Sequence, residues 1–287
     1  MRRSSSTIRP AALFPSARLI DAIADAVELP AFDVHVLAPK RARYALAVFV
    51  LNEGERIRSQ LAKMKPLAEQ VDIIIADGGS TDGSIDARYL AANGVRALLV
   101  KRGAGALSAQ MRMGLHWCLA EGYEGVVTID GNDKDDSSAV PSFIAALDAG
   151  VDHVQGSRYV PGGRSIRTPL SRHLGVILLH APLISLAAGT RYTDTTNGFR
   201  AYSARFLRDP RVQPFRNVFQ RYELHYYLAI RAARLGYRVA ELPVTRSYPA
   251  SGAVPSKIKG LRGNIAILAT LWAAVRGRFD PPAAVGR

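Results

Sequence analysis

Three continuous apolar runs, each ending in a polar, acid-bearing cluster, constrain this chain more than any other feature. Tyr44–Leu51 (YALAVFVL) stops at Asn52-Glu53, Val71–Ala76 (VDIIIA) at Asp77-Gly78-Gly79, and Gly125–Ile129 (GVVTI) at Asp130-Gly131-Asn132-Asp133. Apolar runs without alternation are the pattern of strands buried on both faces. Helical patterns lie between them, over 53–65, 80–92 (Ser80 as cap, Gly83 in the first turn), 108–121 and 141–149, with further strands over 95–100 and 153–156. This order predicts an α/β fold: a doubly wound, Rossmann-like domain with a central, mostly parallel sheet. Ligands of such sheets collect at the carboxyl ends of the strands, where all three clusters fall.

Outside that core, 1–43 reads as an N-terminal extension. It carries a short amphipathic helix over Arg18–Leu29 and a basic linker, Lys40-Arg41-Ala42-Arg43. The catalytic domain is expected over 44–263, and an amphipathic helix and tail over 264–287. No secretory leader follows Met1-Arg2-Arg3, because the next residues are polar. No run of about 18 apolar residues predicts a transmembrane helix. Leu174–Ala188 comes nearest but is interrupted by His180, Pro182 and Ser185, and Ile265–Val275 is short. The single cysteine, Cys118, excludes an intrachain disulfide and reads as a small buried hydrophobe. A cytoplasmic location follows as the expectation.

Charge is unevenly placed. Residues 1–150 hold 17 Lys+Arg and 18 Asp+Glu, a net of −1; the remainder holds 21 and 6, a net of +15, which recovers the totals of 38 and 24. A basic second half faces something anionic: a lipid surface, a phosphorylated substrate or nucleic acid.

The clusters carry chemistry of their own. A carboxylate at a strand end, such as Asp77, can accept an N–H from the edge of uracil or guanine, and Gly78 and Gly79 permit close backbone approach. Asp82 suits the first turn of a following helix. Asp130, Asn132, Asp133, Asp135 and Asp136 offer oxygen ligands of the kind that hold Mg²⁺ or Mn²⁺, which would bridge a diphosphate. The histidines His116, His153, His173, His180 and His225 have no metal-ligand spacing, and Tyr222, Tyr226 and Tyr227 read as packing. Glu223, a carboxylate among them, is a candidate for a sugar-hydroxyl contact.

The ordered pieces VLNE (50–53), DGGSTDGS (77–84), DGND with Pro141, GSRY (156–159), DTTNGFRAY (194–202), the Glu223 segment and ELPV with RSYPASGAVPSK (241–257) resemble the inverting family 2 glycosyltransferases of the GT-A fold. The pattern is similar to polyprenol-phosphate (dolichol-phosphate) mannosyl- and glucosyltransferases. The resemblance runs from about Tyr44 to about Lys257.

That resemblance implies a hexosyltransferase acting in polysaccharide or glycolipid biosynthesis. Asn52, Glu53, Asp77, Gly79 and Asp82 would lie by the nucleotide. Asp130 and Asn132 would hold a divalent cation, Mg²⁺ or Mn²⁺, and the diphosphate. Arg158 would face the acceptor phosphate or the donor diphosphate. Arg200, Arg246 and Lys257 would supply charge around the phosphates. Three departures stand out. Gly78 replaces a second acid after the second strand, Asn132 replaces the second acid of the DxD pair, and Lys134 stands where a glutamine is usual. Lysine cannot ligate a hard cation while protonated: either Asp130 and Asn132, with Asp133 as a further ligand, hold the metal, which is the favoured reading, or Lys134 partly replaces the metal as a counter-charge to the diphosphate.

The reaction implied is a single inverting displacement on a UDP- or GDP-sugar, with cations stabilising the leaving diphosphate. A polyprenyl-phosphate acceptor is already ionised and needs no base; Arg158 and Arg172 would position it. A sugar-hydroxyl acceptor needs one, and Asp133 or Glu223 would serve. The basic half and the two apolar segments predict peripheral attachment to the inner face of a membrane rather than nucleic-acid binding. The alternatives are a sugar-nucleotide nucleotidyltransferase, for which VLNEGERIRS is a poor phosphate loop, and a non-catalytic nucleotide-, sugar- or nucleic-acid-binding protein.

Overall fold

Every residue of Tyr44–Val50 and Asp72–Asp77 is buried, as strands covered on both faces must be. The computed structural model describes residues 27–249 and 260–282. In chain order the elements are β1 (Phe32–Val36), β2 (Tyr44–Val50), α1 (Glu55–Met64), β3 (Asp72–Asp77), α2 (Ala87–Ala92), β4 (Val95–Lys101), α3 (Leu107–Ala120), β5 (Gly125–Asp130), α4 (Val140–Asp148), β6 (His153–Ser157) and β7 (Arg164–Ile166). There follow α5 (Leu170–Ala188), which contains a π turn at Val176–His180, then β8 (Arg200–Ser203), α6 (Ala204–Leu207), α7 (Glu223–Arg234), β9 (Val239–Pro243), β10 (Thr245–Ser247) and α8 (Gly260–Val275).

The main sheet has eight strands in the order β1-β4-β3-β2-β5-β8-β6-β9. β4, β3, β2 and β5 run parallel, as do β6 and β9, while β8 is antiparallel to both its neighbours. Val50 pairs with Asp77 and Phe49 with Asp130, so β2, β3 and β5 end together and their three polar clusters meet at one edge. Two apolar layers cover the sheet. One is formed with α3 and α7 around Met111, Leu115, Phe206 and Leu228; the other with α1 and α4 around Ile57, Leu61 and Phe143. A two-stranded parallel ribbon, β7 with β10, lies apart from the main sheet.

Several expectations change. The fold begins before residue 44, because β1 pairs antiparallel with β4 from Phe32↔Lys101 to Val36↔Ala97. The basic segment after it is anchored rather than a loose linker: Lys40 Nζ donates to the Gly122 carbonyl at 2.9 Å, and Arg43 pairs with Glu124 at 2.6 Å. The helix after β3 starts six residues later than Ser80. Ser80 is tied into the Asp77 loop, and Asp86 caps α2 by accepting from the Tyr89 N–H at 2.8 Å. His180, Pro182 and Ser185 do not interrupt α5, which by length and composition alone is long and apolar enough to cross a membrane. Most of the Arg18–Leu29 helix, and Lys257, lie outside the described residues.

Candidate active site

The loop after β3 builds itself. Asp77, buried, accepts from the Ser80 N–H at 2.9 Å, the Ser80 hydroxyl at 2.6 Å and the Gly79 N–H at 3.2 Å. Asn52, at a positive φ of 48°, donates its N–H to Ser80 Oγ at 2.9 Å and accepts from the Thr81 N–H at 2.8 Å. Asp82 accepts from the Gly54 N–H at 2.9 Å and from the Ser84 hydroxyl at 2.6 Å. These carboxylates therefore clamp the β2 and β3 loops to each other.

The loop after β5 is made differently. The Gly131 N–H donates to the Phe49 carbonyl at 2.8 Å, and a Cβ there would lie 2.7 Å from Val50 Cγ2, so only glycine follows β2 so closely. Asp130 packs against Gly198, where a Cβ would sit 2.8 Å from Oδ1. Asp130 Oδ2 accepts from Arg246 Nη2 at 3.2 Å and from Asn132 Nδ2 at 3.4 Å. Asn132 Oδ1 is buried with no hydrogen-bond partner. A buried oxygen left unpaired beside a carboxylate is the donor set a hard divalent cation accepts. Asp130 and Asn132 thus fit such an ion, with further ligands coming from the substrate. No group of three or more His, Cys, Asp or Glu side chains that could hold a metal occurs among the described residues.

Both clusters border one cavity of about 1070 Å³. Among the described residues, six basic side chains line it (Arg56, Lys101, Lys134, Arg158, Arg172 and Arg246) against two carboxylates, Glu53 and Asp130. Glu53 is paired with Arg56 at 2.7 Å. Arg246 bridges Asp130 to the buried Asp135, and those two acids hold it charged against the cost of burial. Arg158 makes a fork to Asp194 at 2.6 and 3.0 Å and reaches Thr196 Oγ1 at 2.9 Å. Lys134 Nζ and the Arg172 guanidinium lie 5.2 and 5.7 Å from the Tyr248 ring centre. Burial, then Arg246, lowers the Lys134 pKa. Burial alone would raise Tyr248, but Arg246 and Arg172 outweigh it and bring its pKa down.

The cavity wall is mixed in chemistry. Phe49, Val50 and Leu107 contribute apolar surface, with Gln110, beside the cations. Thr195, Tyr222, His225, Tyr226 and His180 form a neutral polar wall; burial, followed by Arg200 and His153, holds His225 unprotonated. Val176 and Leu179 of α5 and Ile267 and Leu268 of α8 complete it with a second apolar wall.

Of the residues expected at the site, Glu53, Asp130, Asn132, Lys134, Arg158 and Arg246 line this cavity. Asn52, Asp77 and Gly79 belong to the adjoining loops, of which Gly78 reaches the lining, and four further residues do not take the expected positions. Arg200 is fully buried and spends its donors on the carbonyls of Asn197 at 2.9 Å, His225 at 2.6 Å and Thr195 at 2.8 Å, bracing the cavity wall from behind. Asp133 is drawn to α1 by Lys63 at 2.7 Å and Ser59 at 2.8 Å. Glu223 caps its own turn, accepting from the Gln220 and Arg221 N–H groups at 3.0 and 2.6 Å. Asp82 is turned to Gly54 and Ser84. Reading the sequence missed Tyr248, His225 and Thr195 as wall residues; the only signals were the adjacency of Tyr248 to Arg246 and of Thr195 to the NGFR segment.

A mostly parallel sheet whose strand ends border a cation-rich cavity places the chain among the α/β folds that bind phosphorylated ligands at the carboxyl ends of their strands. Residues 46–211 match the family model described as Glycosyl transferase family 2, and the chain belongs to that family. It is 29% identical over 199 residues to the undecaprenyl-phosphate mannosyltransferase of Micrococcus luteus, covering 68% of this chain and 79% of that one. It is 28% identical over 232 residues to the polyprenol monophosphomannose synthase of Mycolicibacterium smegmatis, covering 80% and 86%. In structure it is similar to glucosyl-3-phosphoglycerate synthase of Mycobacterium tuberculosis, solved with Mn²⁺, UDP and phosphoglyceric acid. That match has a TM-score of 0.58 at 19% identity, over 85% of this chain and 81% of the other, and fixes the fold as GT-A. Family membership favours a glycosyltransferase over the nucleotidyltransferase and the non-catalytic readings.

Proposed function

We propose that the protein transfers a hexose, with inversion, from a UDP- or GDP-sugar to a polyprenyl phosphate at the cytoplasmic face of a membrane. The observation that carries this reading is the cavity's charge: six cations and two carboxylates, both of the latter already paired. Such a wall suits two phosphorylated ligands. The two candidate bases, Asp133 and Glu223, are engaged elsewhere, which suits an acceptor that needs no deprotonation. The names of the relatives point to the same acceptor class.

In this reading the nucleoside lies along the Asn52 and Asp77–Gly79 edge. Asp130 and Asn132 hold a divalent cation, which supplies Lewis-acid charge to the departing diphosphate. Lys134 and Arg246 add positive charge beside the departing diphosphate. Arg158, rigid on Asp194, and Arg172 orient the acceptor phosphate. The neutral wall of Thr195, Tyr222 and His225 meets the sugar hydroxyls.

The test combines calorimetry of UDP and GDP, with and without Mn²⁺, with transfer of labelled sugar to polyprenyl phosphate and to the matching alcohol. One nucleotide should bind, more tightly with Mn²⁺, and only the phosphate should accept sugar. Equal transfer to the alcohol, or to soluble sugars, would remove the acceptor assignment. Absence of nucleotide binding would remove the transferase reading.

A further inference from the structure

The outward stripe of α5 is made of apolar residues. Leu170, Leu174, Leu178, Pro182 and Leu186 follow each other at four-residue steps and are all exposed, Leu178 by 70% and Leu186 by 80%. A four-residue step overshoots an α-helical turn by about 40°. The wider π turn at Val176–His180 takes up about one residue of that drift and keeps the stripe on one side. The opposite side of its C-terminal half is committed to the fold: Ile184, Ala187 and Ala188 pack with Tyr226 and Ile230 of α7 and with Leu271 and Ala274 of α8. On α8, Ile265, Leu268 and Trp272 are exposed in turn, and Arg276 covers the Trp272 ring at 4.8 Å.

Inverted amphipathicity of this kind on two neighbouring helices is unstable against water and stable against hydrocarbon. We propose that α5 and α8 form a docking face that lies flat in the interface of an anionic lipid bilayer. α5, although long enough to span, lies along the surface because its C-terminal half is packed against α7 and α8 through Ile184, Ala187 and Ala188. Three observations favour lipid over a second protein. The stripe is aliphatic, with Trp272 backed by a cation as at a membrane boundary. Exposed Arg191 and Arg276 flank the ends of the two helices, within the half of the chain that carries the positive excess. The same two helices supply Val176, Leu179, Ile267 and Leu268 to the cavity wall, so an apolar chain can pass from the bilayer to the cations without crossing water. The face stands without the transferase reading; its use, delivery of a lipid phosphate, rests on that reading.

The protein carries two tryptophans, Trp272 exposed and Trp117 buried, which makes intrinsic fluorescence a direct probe. The full chain is mixed with vesicles of phosphatidylcholine, alone or with phosphatidylglycerol. Binding should require the anionic lipid, shift Trp272 emission to the blue and make it quenchable by brominated acyl chains. Trp272→Phe should abolish the signal but not co-sedimentation. Leu174→Glu, Leu178→Glu and Leu186→Glu, all at exposed positions, should each lower partitioning by about tenfold or more. Nucleotide binding should persist in these variants, which separates loss of docking from loss of fold and from failure of the transferase reading.

Leu170→Trp and Leu186→Trp, each in the Trp272→Phe background, give the orientation. Lying flat, both are quenched at one shallow depth. Spanning would separate them by about 24 Å along the bilayer normal. No vesicle binding, equal binding by the glutamate variants, widely different depths, or a dimer broken by the same glutamates without lipid binding would each overturn the proposal.

Discussion

The loops after β3 and β5 look alike on paper, each an acid followed by glycine at the end of a buried strand, and they sit on either side of β2. Hydrogen-bond accounting separates them. Asp77 and Asp82 spend their oxygens on Ser80, Gly79, Gly54 and Ser84, atoms of their own and the adjoining loop. Asp130 is met by a guanidinium from β10 and by an amide whose own oxygen is left unpaired. The first loop closes its hydrogen bonds on itself and its neighbour, whereas the second keeps an unpaired amide oxygen beside a carboxylate held by a cation from another element. An acid at a strand end becomes chemical when its partners are cations and unsatisfied groups rather than nearby backbone.

Substitution should pull the two loops apart. Asp130→Ala should lower turnover by about 10²–10³-fold with the fold kept, since it removes the carboxylate proposed to hold the cation that would stabilise the leaving diphosphate. Steady-state transfer and thermal melting check both halves. Arg200→Met should instead act on stability, by about 3 kcal/mol or more, because three buried carbonyls lose their donor at once. Its nucleotide affinity, measured on the folded fraction, should change less than that of Arg246→Met. Asp77→Ala should cost about 1–3 kcal/mol in a urea melt through unpaired Gly79 and Ser80 N–H groups, with nucleotide affinity falling by less than about tenfold. A collapse of affinity in Asp77→Ala at unchanged stability would return Asp77 to the base-binding role first expected of it and break the comparison.

The parallel sheet and the edge carrying the site were legible because a strand buried on both faces admits almost nothing but apolar residues, and the polar clusters mark where burial stops. Single side chains were less legible. Arg200 follows Gly198 in the NGFR segment as a phosphate-binding arginine would, and only three-dimensional contact reveals that carbonyls of Thr195, Asn197 and His225 use up its donors. Asp133 and Glu223 were indistinguishable from bases until Lys63 and two backbone N–H groups claimed them. β1 was passed over because Asp33 and His35 interrupt an edge strand that is apolar on one side only. The length of α5 was hidden by His180, Pro182 and Ser185. The structure keeps the helix whole by placing Pro182 in the turn that follows the π segment and by turning the Ser185 hydroxyl back to the Ala181 carbonyl at 2.6 Å.

The smallest effect expected is also the one that opposes the loops in sign. Burial would raise Asp82, but hydrogen bonds from Ser84 and Gly54 outweigh it and hold its pKa below the ordinary 3.8. A lowered carboxyl gives stability that is present above the unfolded pKa and is lost as pH falls through the folded one. Asp135 moves the other way: burial, opposed by Arg246, pushes it up to about 6. Its contribution is complete below the unfolded value of 3.8 and is lost as pH rises through about 6. Between those values Asp135→Asn should flatten the stability profile, removing at most about 1.4 kcal/mol per pH unit, the slope of one proton. Asp82→Asn should leave that window untouched and alter the profile only below 3.8. Urea melts across pH, read with hydrogen exchange at 77–84 and 130–136, place each effect on its loop. If both variants moved the same window in the same direction, the two loops would be one electrostatic unit rather than two.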